Sequence, residues 1–574
     1  MTTDTLEQLP RAYPREFVPA DLEVKSFADV QPLFDVLLAA DLSDKNALET
    51  WLKQLTELDA VIAEVGSRTH IRSTVDTTNA EYKQAFMDWV ENFEPKLKPV
   101  YDKLNRKFAS SPARAQLDKS LYGLYERGVL TRLELFREAN VPLETELSKL
   151  TNQYDETQGG ISVEFEGTER TPQQMAKFQL EPDRDLRERA WRAIADRRLT
   201  EHDKLNELYD KQVRLREQIS RNAGTPNYRD YVFKSYLRFD YTPADCDAFA
   251  DAVEKVAMPA VARSLQRRRE EMKLDQLRPW DLSVDPLGRG PLKPFDDVED
   301  LKAGCSSIFH KVDPQLGGQF DKMRELGLLD LDNRKGKAPG GYQSTLNEVR
   351  LPFIFMNAVG VDDDLRTLLH EGGHAFHAFA AADQPLTEYR HAPMEFCEVA
   401  SMSMELLGLP HMGEFYQGDD LVRAKKEFLE GIIEYFPHFA IIDQFQHWVY
   451  TNEGCTIQQR EDKWLELQQR YSTGVDWSGL ENYRRNAWQR VGHLFWVPFY
   501  YIEYAIAQIG ALQVWLNAKQ DGPKALQQYR NALALGGSKT LPELFQTAGG
   551  KFGMNAETLK PLIDALEAEI DKTG

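Results

Sequence analysis

The sequence of 574 residues contains only 4 cysteines, and none of them forms a C-x-x-C pair. They are Cys246, Cys305, Cys397 and Cys455, each far from the next along the chain. A fold held by disulfides would need more cysteines at shorter spacings. We therefore interpret all four as reduced thiols, which is typical of a cytosolic protein.

The sequence also has comparatively little basic charge. Its 70 Lys and Arg residues stand against 91 Asp and Glu residues, so the formal net charge is 70 − 91 = −21. This balance argues against nucleic acid or a membrane as a partner. The first ten residues contain neither a basic nor an apolar segment, so we predict no signal peptide and a cytoplasmic location. The oligomeric state stays open.

No uninterrupted hydrophobic run has the length of a membrane span. The most apolar stretch, residues 493–515, contains Pro498, Glu503, Gln508 and Gln513, which favours a buried helix over a transmembrane one. The patterns G-x-S-x-G, G-x-x-x-x-G-K-[ST] and G-x-G-x-x-G are absent as well. The sequence therefore lacks the signatures of serine hydrolases, P-loop proteins and dinucleotide-binding folds.

What the sequence does contain is an H-E-x-x-H pattern at His370, Glu371 and His374. On an α-helix, residues four apart lie on one face, roughly 6 Å apart along the axis. Two imidazoles at this spacing can share one tetrahedral metal ion, for which zinc is the usual occupant. Glu371 lies to the side of that ion, so we expect it to take a proton from water rather than bind the metal.

A third ligand is expected from a second helix. Glu398 lies 24 residues after His374 (398 − 374), in a segment without Gly or Pro and with apolar residues at helical spacing. Its carboxylate would complete a His2Glu site with one free position. Glu395, one turn earlier, is the alternative ligand. His377 lies roughly 10 Å along the axis from His370, which predicts a supporting or packing role.

Two further features of this helix bear on its packing. Gly372 and Gly373 each cost about 1 kcal/mol relative to Ala within a helix, so we expect another backbone or a substrate to come close there. Asp364, near the predicted start of the helix, either orients a ligand imidazole or caps the helix.

The segment from His370 to His377, followed by Glu398-Val-Ala-Ser401, resembles the zinc site of the thimet oligopeptidase and oligoendopeptidase F family. Thermolysin-type enzymes have an Asp four residues after the ligand Glu, whereas this sequence has Met402 there. Gly372 departs from the family, which usually has a bulky residue at that position. The departure does not affect the ligands.

Other segments extend the resemblance to roughly residues 140–565. Residues 163–169 and 221–231 are similar to oligoendopeptidase F, and residues 535–545 also fit the family. The resemblance therefore covers most of the chain, well beyond the zinc helix.

The resemblance also implies roles near the end of the chain. His493, Tyr501 and Tyr504 match the His and Tyr cluster with which the family binds substrate carbonyls and the tetrahedral intermediate. A phenol donor of this kind stabilises the oxyanion that develops during amide hydrolysis. The spacing from His493 to the tyrosines is one residue shorter than in thimet oligopeptidase, so Tyr500 remains an alternative. On composition alone, the tyrosines are more typical of core aromatics.

A β-rich segment, residues 349–357, precedes the zinc helix and contains Pro352, which suits an edge strand. An edge strand at this place could pair with an extended peptide by strand addition, the alternative being an ordinary sheet edge. We assign Gly340, Gly341 and Tyr342, just before this segment, to substrate binding, together with Tyr500.

The fold expected is mainly α, with two helical lobes around a deep substrate channel and a zincin-type catalytic core that contains a small β-sheet. Residues 1–158 are predicted as an N-terminal helical lobe and residues 159–574 as the catalytic region. After the break at Gly159-Gly160, residues 161–165 alternate as a strand and Thr171 opens a helix with a capping box.

The function expected is that of a zinc-dependent endopeptidase, with one Zn²⁺ per chain, that hydrolyses short oligopeptides inside an enclosed channel. Its partners are therefore short peptides. A dipeptidyl carboxypeptidase of the same fold is the first alternative, and a peptide-binding protein without catalysis is the second. The sequence leaves cleavage-site preference and physiological substrate open.

Overall fold

The chain is built mostly of α-helices, as the sequence predicts. The computed structural model describes Leu6 and residues 8–573. The α-helices in the described part are α1 (Phe27–Ala39), α2 (Lys45–Val75), α3 (Ala80–Asp88), α4 (Glu94–Ser110), α5 (Lys119–Leu135), α6 (Val141–Gly159), α7 (Pro172–Ala176), α8 (Arg184–Leu199), α9 (His202–Ala223), α10 (Tyr228–Ser235), α11 (Pro243–Ala252), α12 (Met258–Glu271), α13 (Val298–Val312), α14 (Pro314–Glu325), α15 (Asp362–Ala380), α16 (Met394–Gly408), α17 (Gly418–Thr451), α18 (Ile457–Arg470), α19 (Glu481–Arg485), α20 (Gly492–Trp496), α21 (Tyr501–Gln520), α22 (Gly522–Leu535), α23 (Leu541–Thr547) and α24 (Ala556–Thr573).

A short hairpin follows α6. Strands β1 (Val163–Phe165) and β2 (Thr168–Arg170) pair antiparallel, which confirms the strand expected after the glycine pair. The next helix, α7, begins with the predicted capping box. The Thr171 hydroxyl accepts from the Gln174 N–H at 3.3 Å, and the Gln174 side chain accepts from the Thr171 N–H at 3.0 Å.

The second sheet has three strands, β3 (Leu329–Asp332), β4 (Tyr342–Leu346) and β5 (Leu351–Ala358), in the order β3-β5-β4. The prediction that the Pro352 strand is an edge strand is therefore wrong, because β5 is the central strand and β4 lies at the edge.

Pro352 is tolerated because of where β3 begins to pair. The Ile354 N–H donates to Leu328 O, so the nitrogen of Pro352, two residues earlier, faces the same side of β5. The pairing of β3 begins only at Leu329 opposite Ile354. The missing N–H of Pro352 therefore falls where β5 has no neighbour on that side, and no ladder hydrogen bond is lost.

Helix α15 begins directly after β5, and its first turn is capped by a carboxylate. Asp364 Oδ2 accepts from the backbone N–H groups of Val359, Gly360 and Val361 at 2.8, 2.8 and 2.9 Å. Capping is thus what Asp364 does, and its oxygen is engaged at the amino end of the helix, away from the imidazoles. The cap fixes how α15 leaves the sheet.

The glycine pair of α15 marks two close contacts, as predicted. A Cβ atom on Gly373 would lie 2.5 Å from Ser401 Cα and 2.6 Å from Ala400 O, both in the backbone of α16. On Gly372 it would lie 2.5 Å from the ring of Phe309. Helices α15 and α16 therefore approach to a distance that only glycine allows, which brings their side chains into one site.

The described residues form three hydrophobic clusters, of which a small one joins Phe165, Met175 and Ala190 beside the β1–β2 hairpin. The other two are larger cores. The smaller of these two is formed by residues between Val18 and Val129, together with Leu386 and Tyr389. The larger one holds the sheet, α15, α16 and α21. The stretch predicted as one buried helix, residues 493–515, is divided between α20 and α21 by a break at residues 497–500. Helix α21 is buried along most of its length and packs on α16. The boundary at residues 158 and 159 stays a prediction.

Over the described residues, none of the helices combines the length and the apolar character that crossing a membrane requires.

Candidate active site

Helices α15 and α16 bring His370, His374 and Glu398 to one point. Glu398 Oε2 lies 3.3 Å from His370 Nε2 and 3.5 Å from His374 Nε2. The two imidazoles lie one turn apart on α15, and the carboxylate faces them across the contact at Gly373. The three residues predicted as ligands are therefore close together.

The donor set fits a zinc ion. Two ligands held about 2.0–2.1 Å from a tetrahedral zinc ion are about 3.3 Å apart, close to both distances from Glu398. Burial opposes charge on these groups, yet Glu398 and Glu405 raise the pKa of His370 well above its usual value. Burial likewise opposes ionisation of Glu398, but His374, His370 and Tyr500 lower its pKa to about 2. The site thus favours positive charge at its centre, a need that a divalent cation meets.

A further carboxylate, not identified from the sequence, orients one imidazole. Glu405 Oε1 lies 2.7 Å from His370 Nδ1, which leaves Nε2 directed at Glu398. A carboxylate at this place fixes the ring and its tautomer in metal sites. Glu405 lies seven residues after Glu398, two turns on along α16, so the two carboxylates lie on the same face of that helix.

The alternative ligand Glu395 is engaged elsewhere. Its Oε1 accepts from the Tyr241 hydroxyl at 2.6 Å and lies 3.7 Å from Arg238 Nε. Arg238 also donates to Glu503 at 2.5 Å, so Glu395, Arg238 and Glu503 form a buried ionic network behind the site. His377 is also buried, and burial lowers its pKa to about 3. It lies outside the ligand group.

Glu371 lies beside the three ligand candidates and is buried. Burial and the nearby carboxylates of Glu398 and Glu405 raise its pKa to about 7, against the opposing effect of His370. The Gln343 N–H donates to this carboxylate, whereas Glu371 Oε2 has no hydrogen-bond partner among the described residues. A carboxylate with such a pKa and a free oxygen can both take up and give back a proton near neutral pH.

The aromatic residues at the start of α21 divide into two groups. Tyr500 donates to Glu398 Oε1 at 2.8 Å, and the Tyr504 hydroxyl is hydrogen-bonded to His493 Nε2 at 3.2 Å. Tyr501 packs edge-on against His493 and near His438. Tyr500 and Tyr504 line the cavity at the ligand candidates, whereas Tyr501 is not part of that lining.

The segment assigned to substrate binding lies at the edge strand β4. Gly341 and Tyr342 line the cavity, and Gly340 adopts a left-handed conformation with φ of 95° just before them. The Tyr342 hydroxyl is hydrogen-bonded to Thr74 of α2 at 2.6 Å, and its ring stacks on Phe355. The side chain of Tyr342 therefore fixes β4 to its neighbours.

The three ligand candidates, Glu371, Tyr500 and Tyr504 line a cavity of about 330 Å³, whereas the predicted residues His493, Tyr501 and Gly340 lie behind its wall. The wall includes residues that the sequence did not single out, chiefly Arg390 and His391 from the connection between α15 and α16, and Gln343 and Thr345 from β4. No local pattern marks Arg390 or His391, because only the path of the connection brings them to the cavity. His391 Nε2 is 3.0 Å from Asn347 Oδ1, which fixes its ring.

An H-E-x-x-H helix that meets a carboxylate from a second helix at an open cavity defines the zincin class of metallopeptidases. The model of peptidase family M3 matches residues 178–562, and that of the peptidase M3 N-terminal domain matches residues 17–136. The chain belongs to peptidase family M3, which confirms the resemblance found in the sequence.

Individual relatives agree with this membership. Oligopeptidase PepF of Bacillus subtilis (strain 168) is 24% identical over 306 residues, which cover 51% of this chain and 43% of the relative. The chain spans about half the length of the curated relatives it matches.

Two solved structures superpose over nearly the whole chain. PZ peptidase A in complex with an inhibitor has a TM-score of 0.92 at 28% identity and covers 97% of this chain and 99% of its own. A candidate oligoendopeptidase F has a TM-score of 0.91 at 29% identity and covers 97% and 98%. The mainly helical fold with a small sheet is therefore the fold of these proteins.

Proposed function

We propose that this chain is a zinc-dependent endopeptidase that hydrolyses short oligopeptides. The observation that carries the proposal is the convergence of His370, His374, Glu398 and Glu371 on one cavity, in a chain of peptidase family M3. His370, His374 and Glu398 would hold one catalytic zinc ion. The names of relatives, oligopeptidase and oligoendopeptidase F, support short peptides as substrates.

Glu371 serves as the general base and then as the general acid. When bound, zinc supplies a Lewis acid for the scissile carbonyl and lowers the pKa of water. Glu371 takes the proton of the attacking water on its free Oε2 and delivers it to the leaving amine. The hydrogen bond from the Gln343 N–H holds this carboxylate in place. Its raised pKa suits both transfers, because the carboxylate is basic enough to accept a proton and acidic enough to return it.

Tyr504 is the donor to the oxyanion that develops on the substrate carbonyl. Its hydroxyl faces the cavity and is oriented by His493, whereas the Tyr500 hydroxyl is already committed to Glu398. A phenol aimed at the developing charge stabilises the transition state more than the ground state. His493 positions Tyr504 and a substrate carbonyl, and Tyr501 supports the His493 ring from behind.

The substrate backbone pairs with the free edge of β4. Ser344 pairs with Phe353 and Tyr342 with Phe355 inside the sheet, so the backbone groups of Gln343 and Thr345 face outward. The Ser67 hydroxyl donates a hydrogen bond to the Thr345 carbonyl, and the Gln343 N–H donates one to the Glu371 carboxylate. A peptide added along this edge meets Glu371 directly, and backbone pairing gives binding that tolerates many side chains. An enclosed channel around this edge admits short peptides and excludes folded proteins.

One observation favours dipeptidyl carboxypeptidase activity as a second candidate function. Arg390 lines the cavity, and burial lowers the pKa of its guanidinium to about 10, so it stays charged at neutral pH. Its Nε donates to Gln384 O, and a guanidinium in a cavity wall can bind the C-terminal carboxylate of a peptide. A peptide-binding protein without catalysis has no such support, because every candidate catalytic group is present.

A digest of a peptide library, analysed by mass spectrometry, tests the proposal. The protein is compared with Glu371→Gln and with chelator-treated protein, on peptides with free and with amidated C-termini. We expect internal cleavage of both kinds of peptide by the untreated protein alone. Release of C-terminal dipeptides from free peptides only would establish the carboxypeptidase instead. Equal binding and no cleavage in all samples would contradict any peptidase function.

A further inference from the structure

A second group of metal-binding side chains lies outside the candidate active site. Helices α11 and α17 bring Cys246, Asp443 and His447 together, with one ligand atom of each within 4.8 Å of the others. All three side chains are buried, with exposed fractions of 0, 1 and 6%. None of them takes part in the proposed peptide hydrolysis.

Three polar atoms of this cluster have no hydrogen-bond partners in the described part of the chain. Both carboxylate oxygens of Asp443 and the Nε2 atom of His447 are buried in this way. Asp443 Oδ2 and His447 Nε2 lie 3.3 Å apart without hydrogen-bond geometry. Leaving a buried carboxylate and an imidazole unsatisfied is costly, so a group that binds both at once would stabilise the fold.

The geometry matches a tetrahedral metal ion. Asp443 and His447 lie four residues apart on α17, the spacing at which two side chains on one helix face share an ion. Their separation of 3.3 Å equals the distance of about 3.3 Å between an oxygen and a nitrogen that bind one tetrahedral zinc ion. The sulfur of Cys246, on α11, lies within 4.8 Å of both ligand atoms. Thiolate, imidazole and carboxylate together select Zn²⁺ or Co²⁺ over Mg²⁺ and Ca²⁺.

We propose that Cys246, Asp443 and His447 form a second zinc site, buried and structural, in addition to the catalytic site. Metal binding would release the thiol proton of Cys246 to solvent, and the thiolate, the carboxylate and the neutral imidazole would be the ligands. The positive charge of nearby Arg238 does not oppose it, because Arg238 is paired with Glu503 and Glu395.

The place of the cluster in the fold gives the ion a role. The His447 ring packs edge-on against Phe499 at 5.3 Å, and Gln446 accepts from the Phe499 N–H. Phe499 has a left-handed backbone with φ of 68° and directly precedes Tyr500. An ion that joins α11 to α17 therefore supports the turn from which Tyr500 and Tyr504 enter the cavity.

Metal content and cobalt spectroscopy test this site. Zinc per chain is measured by mass spectrometry in the protein as purified and after dialysis against Zn²⁺. In parallel, the protein is expressed in minimal medium with Co²⁺, and apoprotein is titrated with Co²⁺. A thiolate ligand gives a charge-transfer band in the near ultraviolet, which the catalytic ligands, two imidazoles and a carboxylate, do not produce.

We expect about two zinc ions per chain in the unaltered protein, and about one in Cys246→Ser, Asp443→Asn and His374→Ala. The cobalt band should be present in the unaltered protein and in His374→Ala, and absent from Cys246→Ser. Cys305→Ser is the matched control, because Cys305 is equally buried but belongs to no such cluster, and it should keep both ions and the band.

The proposal is overturned if the unaltered protein holds one zinc ion and gives no thiolate band with Co²⁺. It is also overturned if the band persists in Cys246→Ser or is lost in Cys397→Ser, whose thiol lies at the catalytic cavity. Should Cys246→Ser fail to fold, the spectrum of the unaltered protein still decides. Because His374→Ala empties the catalytic site alone, the outcome does not depend on peptide hydrolysis.

Discussion

The clusters His370–His374–Glu398 and Cys246–Asp443–His447 have their side chains at similar helical spacings but differ in exposure to solvent. Each combines two side chains one helical turn apart with a third from another helix. In the first, the imidazoles are 21% and 17% exposed and line a cavity. In the second, every side chain is buried. Access to solvent and substrate, rather than the donor set, separates a cluster that can do chemistry from one that can only hold the fold.

The two clusters also differ in their support. Glu405, Tyr500 and Ser401 hydrogen-bond the ligand candidates at the open cluster, whereas at the closed one the ligand atoms of Asp443 and His447 have no such partners among the described residues. An open site must keep its geometry while substrate exchanges, so its ligands are held from behind. A closed site is held by the surrounding core and by the ion itself.

The largest effect is expected from Glu398→Ala, which should empty the open cluster and abolish peptide hydrolysis. Glu395→Gln is the matched control, because Glu395 lies one turn away on the same helix but binds Tyr241 and Arg238. Zinc content and hydrolysis are measured together. If the zinc content were unchanged in Glu398→Ala and reduced in Glu395→Gln, the metal ligand would be Glu395, one turn earlier on the helix.

The next largest effect is expected from Glu371→Gln, which should separate metal binding from catalysis. Glu371→Gln should keep the zinc content of the unaltered protein and reduce kcat by about 10⁴-fold, because the amide cannot accept the proton of the attacking water. Zinc analysis and peptide turnover check both halves. Near-normal turnover would remove Glu371 from the role of base.

Tyr504→Phe tests whether the wall of the cavity at the open cluster contributes to catalysis. We expect kcat to fall by an amount equivalent to about 2–4 kcal/mol, with zinc content unchanged, because one donor to the oxyanion is lost. Tyr501→Phe, which changes a ring outside the cavity lining, should have a much smaller effect. If Tyr504→Phe is silent and Tyr500→Phe is not, the assignment of the donor shifts to Tyr500.

The smallest of these effects concerns the support behind the ligands. Glu405→Ala should weaken zinc binding by about 10- to 100-fold, because the His370 ring loses the acceptor at Nδ1. Glu405→Gln should recover part of that affinity, since its amide oxygen still accepts the hydrogen bond. Competition with a chelator measures both. Equal affinity in all three proteins would show that the helix alone fixes the ring.

Local spacing predicts what one helix turn or one capping box determines. His370, Glu371 and His374 follow from the geometry of a single helix, and the pattern around Thr171 begins a helix where predicted. Glu398 was found because only one acidic helix lies close by in the sequence. Its partner Glu405 was not, since nothing local distinguishes a carboxylate facing an imidazole from one facing solvent.

Features that depend on contacts between distant segments could not be predicted from the sequence. Cys246 and His447 are about two hundred residues apart and meet only through the packing of α11 on α17. The strand with Pro352 was placed at the sheet edge because proline favours edges in general. Its central position depends on where β3 begins to pair, which is set by a segment some twenty residues earlier.

The hydrogen bond from Tyr500 to Glu398 limits how this carboxylate can coordinate a metal. Oε1 accepts from the phenol at 2.8 Å, whereas Oε2 faces both imidazoles and accepts from the Ser401 hydroxyl at 3.1 Å. On the proposed function, Glu398 would therefore hold a metal ion through Oε2, while Tyr500 holds Oε1. A ligand that uses one oxygen in this way would leave a position at the metal open for a peptide carbonyl.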